Sequence, residues 1–304
     1  MKQKALNSKS NKWSFSEQLP MIIMIIPFAV VFAVLVIVPI IASVILGFTS
    51  FDALQFPKFT GFDNYMRLIV SDDVFPTVLK NTVAIAVVVG PLGFIFAFVL
   101  AWFVNEFSNG LKTLLSFMFY APSLVGNAYF VWQTLFSGDS YGYINNILLS
   151  IGIITEPIQW LKDTRYLLTI VIVVQLWQSM GISFLSNISG LQNISRDLYE
   201  AGAIDGIRNR WQELRYITFP SMANMLLFSA VMQIQGAFSV SAVATALAGY
   251  PSVRYSADTI VSYMSDVGGT RFEMGYASAI SVILLLLMVV TRALSGKFLK
   301  LITK

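Results

Sequence analysis

Asn127, Tyr129, Trp132 and Gln133, then Gln175, Trp177, Gln178 and Ser183, then Gln233, Gln235, Ser239 and Ser241 form three groups of amides, hydroxyls and aromatic rings inside otherwise apolar stretches. Amides can donate to and accept from hydroxyl groups, and aromatic rings can cover the apolar faces of a sugar, so the groups suit a path for a neutral, hydroxyl-rich solute. The same side chains also bridge helices in lipid, and that reading stands beside the first. Clustering in three stretches favours a path, with Tyr129, Trp132, Gln133, Trp177, Gln178, Gln233, Gln235 and Ser239 as its candidate residues. Gly236 and Ala237 lie three and four positions beyond Gln233, so one helical face is expected to offer an amide beside small residues.

Other chemistry is poorly supplied. The chain has no His and no Cys, which removes imidazole relays, thiol nucleophiles, disulfides and Cys/His metal sites together. None of the long apolar stretches holds an Asp or Glu, and Lys80 and Arg292 lie at their ends, where long side chains reach water. A carrier driven by ion binding within the membrane is disfavoured on that count. There is no G-x-x-x-x-G-K-[ST] loop to cradle a phosphate. No catalytic residue, metal site or cofactor is therefore assigned to this chain, and any nucleotide that drives it binds to another chain.

Positioning falls to membrane helices. Hydrophobic residues make up 56% of the 304 and charged residues 12%, and the mean hydropathy is +0.72, values that point to the bilayer as solvent. A hydrocarbon core of about 30 Å needs roughly 20 apolar residues as a helix. Six stretches meet that length, 21–48, 77–104, 113–136, 166–189, 220–248 and 275–293. The expected fold is all-α, with residues 1–20 as an N-terminal segment, 21–296 as the six-helix domain and 297–304 as a tail. The first stretch is too long for the core of a signal peptide and reads as a retained anchor. Pro27 and Pro39 are expected to bend it.

Charge sets the orientation. Thirteen of the 20 Lys and Arg residues, among them Lys2, Lys4, Lys9, Lys12, Lys112, Arg208, Arg210, Arg215, Lys297 and Lys304, fall on the side that holds both termini. By the positive-inside rule that side is the cytoplasm. Trp13, Phe15, Tyr120, Trp160 and Tyr250 fit interfacial belts. Basic residues scattered beside apolar runs argue against a nucleic-acid partner.

The segment 190–220 is the exception to this apolar plan, with four basic and four acidic residues between two spans. Ser195 is placed to cap a helix whose first turn holds Asp197. Leu198, Ala201 and Ile204 fall at three-residue steps on one apolar face. Asp205-Gly206 supplies a turn, and helical spacing resumes from Ile207 through Trp211, Leu214 and Ile217. Pro220 suits the first turn of the next span, where a missing donor costs nothing. A helix lying on a membrane is usually strongly basic, so this balanced charge suits contact with a soluble protein better.

Here the sequence resembles a known pattern. Glu200-Ala201-Gly202, Gly206 and Ile217-Thr218-Phe219-Pro220 are similar to the EAA loop of binding-protein-dependent ABC transporter permeases, E-A-A, three residues, G, and ten residues later I-x-L-P. The wording "YEAGAIDGIRNRWQELRYITFP" resembles the carbohydrate-uptake, maltose-type branch, as do "FTGFDNYMRL", "KNTVAIA", "FYAPSLV" and "GYASAI". The resemblance implies a six-span permease subunit in a bacterial or archaeal inner membrane, paired with a second, homologous permease. It also implies two cytoplasmic ATPase subunits carrying ATP and Mg, and an extracytoplasmic solute-binding protein that delivers a carbohydrate. Glu200, Ala201, Gly202, Asp205, Gly206, Ile217 and Pro220 would couple this chain to the ATPases. Gly202 stands where the pattern has its second alanine, and "ALAGYPSV" replaces the branch's T-x-G-G-P in an external loop. The alternatives are another polar solute, such as a phosphorylated polyol favoured by Arg254 and Arg271, or an ion-coupled carrier working alone.

Overall fold

The structure is a computed structural model, and it describes residues 15–126 and 128–302. Asn127, Trp13, Lys2, Lys4, Lys9, Lys12 and Lys304 lie outside the described residues, as does most of the expected N-terminal segment. In chain order the helices are α1 (Phe15–Phe32), α2 (Val38–Leu46), α3 (Asp63–Met66), α4 (Phe75–Asn105), α5 (Asn109–Leu124), α6 (Phe130–Leu135), α7 (Tyr143–Ser150) and α8 (Leu167–Gln192). They continue as α9 (Arg196–Ile204), α10 (Arg210–Glu213), α11 (Phe219–Ser221), α12 (Ala223–Phe238), α13 (Ser241–Ala248), α14 (Ile260–Gly269) and α15 (Met274–Ile302). A two-residue antiparallel pair, β1 (Thr49–Ser50) with β2 (Lys58–Phe59), follows the first long helix.

Five helices among the described residues are long and apolar enough to cross a membrane: Ile22–Leu46, Phe75–Asn105, Leu167–Gln192, Ala223–Ala248 and Met274–Lys297. The expected span at 113–136 is broken. α5 stops at Leu124, Val125 turns to extended backbone at φ −90° and ψ 102°, and α6 begins only at Phe130. Pro122 lacks the N–H for a helical bond and crowds the carbonyl four residues back, and Gly126 follows at the break. α5, with 16 residues, reaches about 24 Å at the α-helical rise, short of the bilayer core.

Proline acts differently in the first helix. Pro27 lies inside α1 without interrupting it, whereas Pro39 follows a π turn at Ala33–Ile37. Pro220 follows another π turn, Leu214–Thr218, at the same spacing. A widened turn absorbs the ring that would otherwise strike the carbonyl four residues earlier. Pro220 lies in the short α11, set off from α12 by Met222 at φ −106° and ψ 18°. The expected span from 220 thus opens as a bent turn and a longer helix.

The core is where α4, α8 and α12 meet. Phe98, Ala101 and Val104 of α4 pack with Phe184, Ile188 and Leu191 of α8, and with Leu214, Met222 and Leu226. Toward the other end, Ile85, Val89, Val171, Val174 and Ala237 form a second cluster. Polar bonds close the end of the bundle where α4 and α15 begin. The Asn81 amide donates to the carbonyls of Tyr255 at 2.8 Å and Asp258 at 3.0 Å, and the Thr82 hydroxyl accepts from the Ile260 N–H at 2.9 Å. Asp72 accepts from the backbone N–H groups of Val74 and Phe75, both at 2.8 Å, and from the hydroxyls of Tyr263, at 2.6 Å, and Tyr276. Burial pushes the Asp72 carboxyl up, yet these four hydrogen bonds outweigh it and hold it below the usual value of 3.8.

Candidate functional site

The charged segment folds as a compact handle under the ends of α4 and α8. Ser195 caps α9, its hydroxyl accepting from the Asp197 N–H at 3.3 Å. The helix runs to Ile204, the residue at which the sequence pattern ends it. Gly206 then takes φ +94°. Ile207 N–H donates to Gly202 O at 2.9 Å and Gly206 N–H to Ala203 O at 3.4 Å, the two bonds that satisfy the last carbonyls of a helix ending in a left-handed residue. Helical structure resumes at Arg210, later than the expected Ile207. Asn209 caps α10 by accepting from the Gln212 N–H at 2.9 Å, and the Gln212 side chain accepts from the Arg208 N–H at 2.8 Å. An Asn followed three positions later by Gln is a legible start signal that the spacing argument passed over.

The two faces of α9 differ. Its inner face holds Gly202, which is buried, and a Cβ there would lie 2.6 Å from Cδ1 of Ile217 and 3.0 Å from Cδ1 of Ile207. The missing methyl of the motif's second alanine therefore makes room for two isoleucines. The Tyr199 hydroxyl lies 3.0 Å from the Thr218 hydroxyl, tying α9 to the π turn. Ile217 and Thr218 are both buried. The outer face carries Leu198, Glu200, Ala201, Ile204 and Asp205, all exposed, with Ile204 at 87%. The apolar face read from Leu198, Ala201 and Ile204 is thus the open face of the helix, and Tyr199, Gly202 and Thr218 form the inner seam. Pro220 is exposed behind it.

Charge links the handle to the neighbouring loop. Arg210 pairs with Glu213 in its own helix and with Glu106 at the end of α4, both at 3.0 Å. Its hydrogen bond to the Glu213 carboxylate and attraction to Glu106 hold the Arg210 guanidinium above its usual range. The Trp211 ring lies 6.3 Å from that of Trp102. A cavity of about 350 Å³ opens between these parts, lined by Trp102, Glu106, Lys112, Arg196, Tyr199 and Arg210 among others.

The candidate path residues do not all share one surface. Trp132 and Trp177 meet edge to face at 5.6 Å, with Phe136 stacked on Trp132 at 6.0 Å. Tyr129, Trp132, Gln133, Trp177 and Gln178 are half-buried, and Gln235 and Ser239 are exposed. The Gln133 amide donates to Ala246 O. Gln233 is the departure from expectation. It is fully buried, makes no side-chain hydrogen bond among the described residues, and presses its amide against Gly93 of α4, where a Cβ would lie 2.9 Å from Oε1. Gln235 therefore presents its amide on the exposed side of α12, and Gln233 on the packed side. Gln175 and Ser183 serve helix contacts, donating to Gly236 O at 2.9 Å and Ser229 O at 3.1 Å.

Comparison with known proteins bears on this arrangement. Residues 89–303 match the family described as binding-protein-dependent transport system inner membrane component. The chain is 31% identical to the probable ABC transporter permease protein YesP of Bacillus subtilis (strain 168), over 86% of this chain and 84% of that one. It is 33% identical to the lactose transport system permease protein LacF of Rhizobium radiobacter, over 69% of this chain and 70% of the relative. Among solved structures, it shares a fold with a chain of a bacterial ABC transporter involved in the import of the acidic polysaccharide alginate. The TM-score is 0.76, with 23% identity over 95% of this chain and 98% of that chain.

Proposed function

We propose, from the premise that this chain belongs to the family of binding-protein-dependent transport system inner membrane components, that it is the permease subunit of an ABC importer for a carbohydrate, an oligosaccharide in particular. The observation that carries this reading is the two-faced α9. Its inner seam is fastened by Tyr199, Gly202 and Ile217, and its outer face leaves Leu198, Glu200, Ala201, Ile204 and Asp205 bare. A rigid helix with an open apolar and acidic face is a handle for a soluble partner.

In this reading two cytoplasmic ATPase subunits hold ATP and Mg, and one of them grips the outer face of α9. Glu200 and Asp205 contact the ATPase, Gly206 allows the turn that exposes them, and Ile217 with Pro220 passes motion through the π turn into α12. Closure of the ATPases then swings the helices between inward- and outward-facing arrangements. A second, homologous permease completes the path, and an extracytoplasmic binding protein delivers the solute. The broken stretch formed by α5 and α6 supplies a sixth crossing, which puts both termini in the cytoplasm. Trp132, Trp177, Gln178, Gln235 and Ser239 line the path. The carbohydrate assignment draws support from the lactose and arabinooligosaccharide systems named for relatives. A phosphorylated polyol is less favoured, because Arg271 is already paired with Asp266 at 2.6 Å.

The test is Gly206→Trp. A Cβ at this position would meet nothing within 4 Å, but the backbone there stands at φ +94°, so tryptophan both strains the turn that sets the handle and adds bulk on the side a partner would approach. The expected result is a chain still inserted in the membrane whose copurified complex loses solute-stimulated ATP hydrolysis. Full stimulation in that variant would refute the docking role of α9.

A further inference from the structure

The segment between the first two long helices carries an apolar face that the rest of the described chain leaves open. α3 runs directly into a π turn at Arg67–Ser71, giving one helical run from Asp63. On its inner side Leu68 is fully buried in a cluster with Phe75 and Val78 of α4, and Tyr276, Ala279 and Ile280 of α15. Those five residues belong to the first turns of two membrane-length helices. The Phe62 ring, just before α3, meets Phe48 edge to face at 5.3 Å, two residues beyond the end of α2 at Leu46. The run is thus held level with the ends of three membrane-length helices, the ends that the orientation proposed above places on the outer side.

Its other side is apolar as well. Phe62, Met66, Ile69 and Val70 are 68%, 57%, 75% and 70% exposed, and steps of four, three and one place them on one helical face. Asp63 and Arg67 form a charged edge beside that face. Arg67 turns back toward the protein, pairing with Glu273 and lying 4.0 Å from the centre of the Tyr276 ring. Two apolar sides and one charged edge suit neither water nor a polar protein surface. They suit the zone where headgroups give way to acyl chains.

We propose that the run from Phe62 to Ser71 is an interfacial helix that lays Phe62, Met66, Ile69 and Val70 into the outer leaflet, its partner being phospholipid rather than another protein. The anchored run leads straight to Asp72, the carboxylate that caps α4 and binds Tyr263 and Tyr276. Lipid on one side and this cap on the other would fix the outer ends of α4, α14 and α15 relative to the bilayer.

The chain has no Cys, so a single introduced thiol can be labelled at a known site. Ile69→Cys and Lys58→Cys would be made in the full chain, copurified with its native partners in phosphatidylglycerol-containing nanodiscs, and labelled with an environment-sensitive fluorophore. Lys58 lies in the exposed β2 and serves as the aqueous reference. At position 69, phospholipid bearing a nitroxide near the top of its acyl chain is expected to quench at least about threefold more than iodide does, with the order reversed at position 58. Iodide quenching at both sites would place the run in water and overturn the proposal. Shielding at position 69 from both quenchers would show a protein covering the face, and would overturn it equally. Val70→Cys provides the same readout if Ile69→Cys does not fold.

Discussion

Replacing Gly202 with alanine restores the motif's second alanine, and the seam against Ile217 determines what that substitution costs. The new methyl would stand 2.6 Å from Cδ1 of Ile217 and 3.0 Å from Cδ1 of Ile207. Alanine gains about 1 kcal/mol over glycine in a helix. Rotating an isoleucine about 30° off its preferred rotamer costs about 0.5–1.5 kcal/mol, and two must yield. Gly202→Ala alone is therefore expected to weaken the handle by about 0–2 kcal/mol. Ile217→Val removes Cδ1, the nearer of the two obstructing atoms, and by itself costs about 0.5–1.5 kcal/mol as a buried truncation. In the Ile217→Val background only Ile207 must yield, so the net effect of the alanine falls to about −0.5 to +0.5 kcal/mol. Hydrogen exchange read by mass spectrometry on peptides covering 196–210 measures the opening free energy of α9 and of the Ile207 to Gly202 bond. Equal effects of Gly202→Ala in both backgrounds, within about 0.5 kcal/mol, would refute the seam.

Three other outcomes follow from the same structure. Tyr199→Phe removes a hydroxyl from the buried Thr218 and is expected to cost about 1 kcal/mol in the same exchange assay, with a fall in solute-stimulated over basal ATP hydrolysis; unchanged exchange would mean the bond carries no load. Gln233→Leu replaces a buried, unpartnered amide by an apolar side chain of similar size, so unfolding midpoints in detergent should be unchanged or higher, with uptake kinetics retained, while Gln235→Leu should lower apparent affinity for the solute; the reverse pattern would exchange their roles. Because the folded carboxyl of Asp72 is held below 3.8, its contribution is fully present above that value and is lost as pH falls through the folded one. The difference in thermal midpoint between the unmodified chain and Asp72→Asn should therefore be constant from pH 8 to about 5 and close below about 4; a difference that widens in acid would reverse the sign of the argument.

Much of the handle is local and was readable from residue order. Ser195 before Asp197 starts a helix because a hydroxyl can take an orphan N–H, and Asp205-Gly206 ends it because glycine accepts a positive φ that alanine resists. The apolar runs around 77–104 and 166–189 became helices within a few residues of the expected limits, and that at 275–293 continues as helix to Ile302, since burying unpaired backbone in lipid leaves little choice. The 113–136 stretch is two helices rather than one unbroken helix, because hydropathy counts side chains and does not register the backbone that leaves the helix after Leu124.

Helix rotation was beyond the sequence. Gln233 and Gln235 are both amides in one apolar helix, and only the contact of α12 with Gly93 of α4 decides that the first is sealed and the second open. Leu198, Ala201 and Ile204 share a face by spacing, yet spacing cannot say whether that face looks inward. Its direction is set by Ile217 and Thr218, which reach Gly202 and Tyr199 from beyond the turn. Local bonding rules determine where a helix starts, turns and ends; which side of it is hidden depends on the surfaces that distant parts of the chain bring against it.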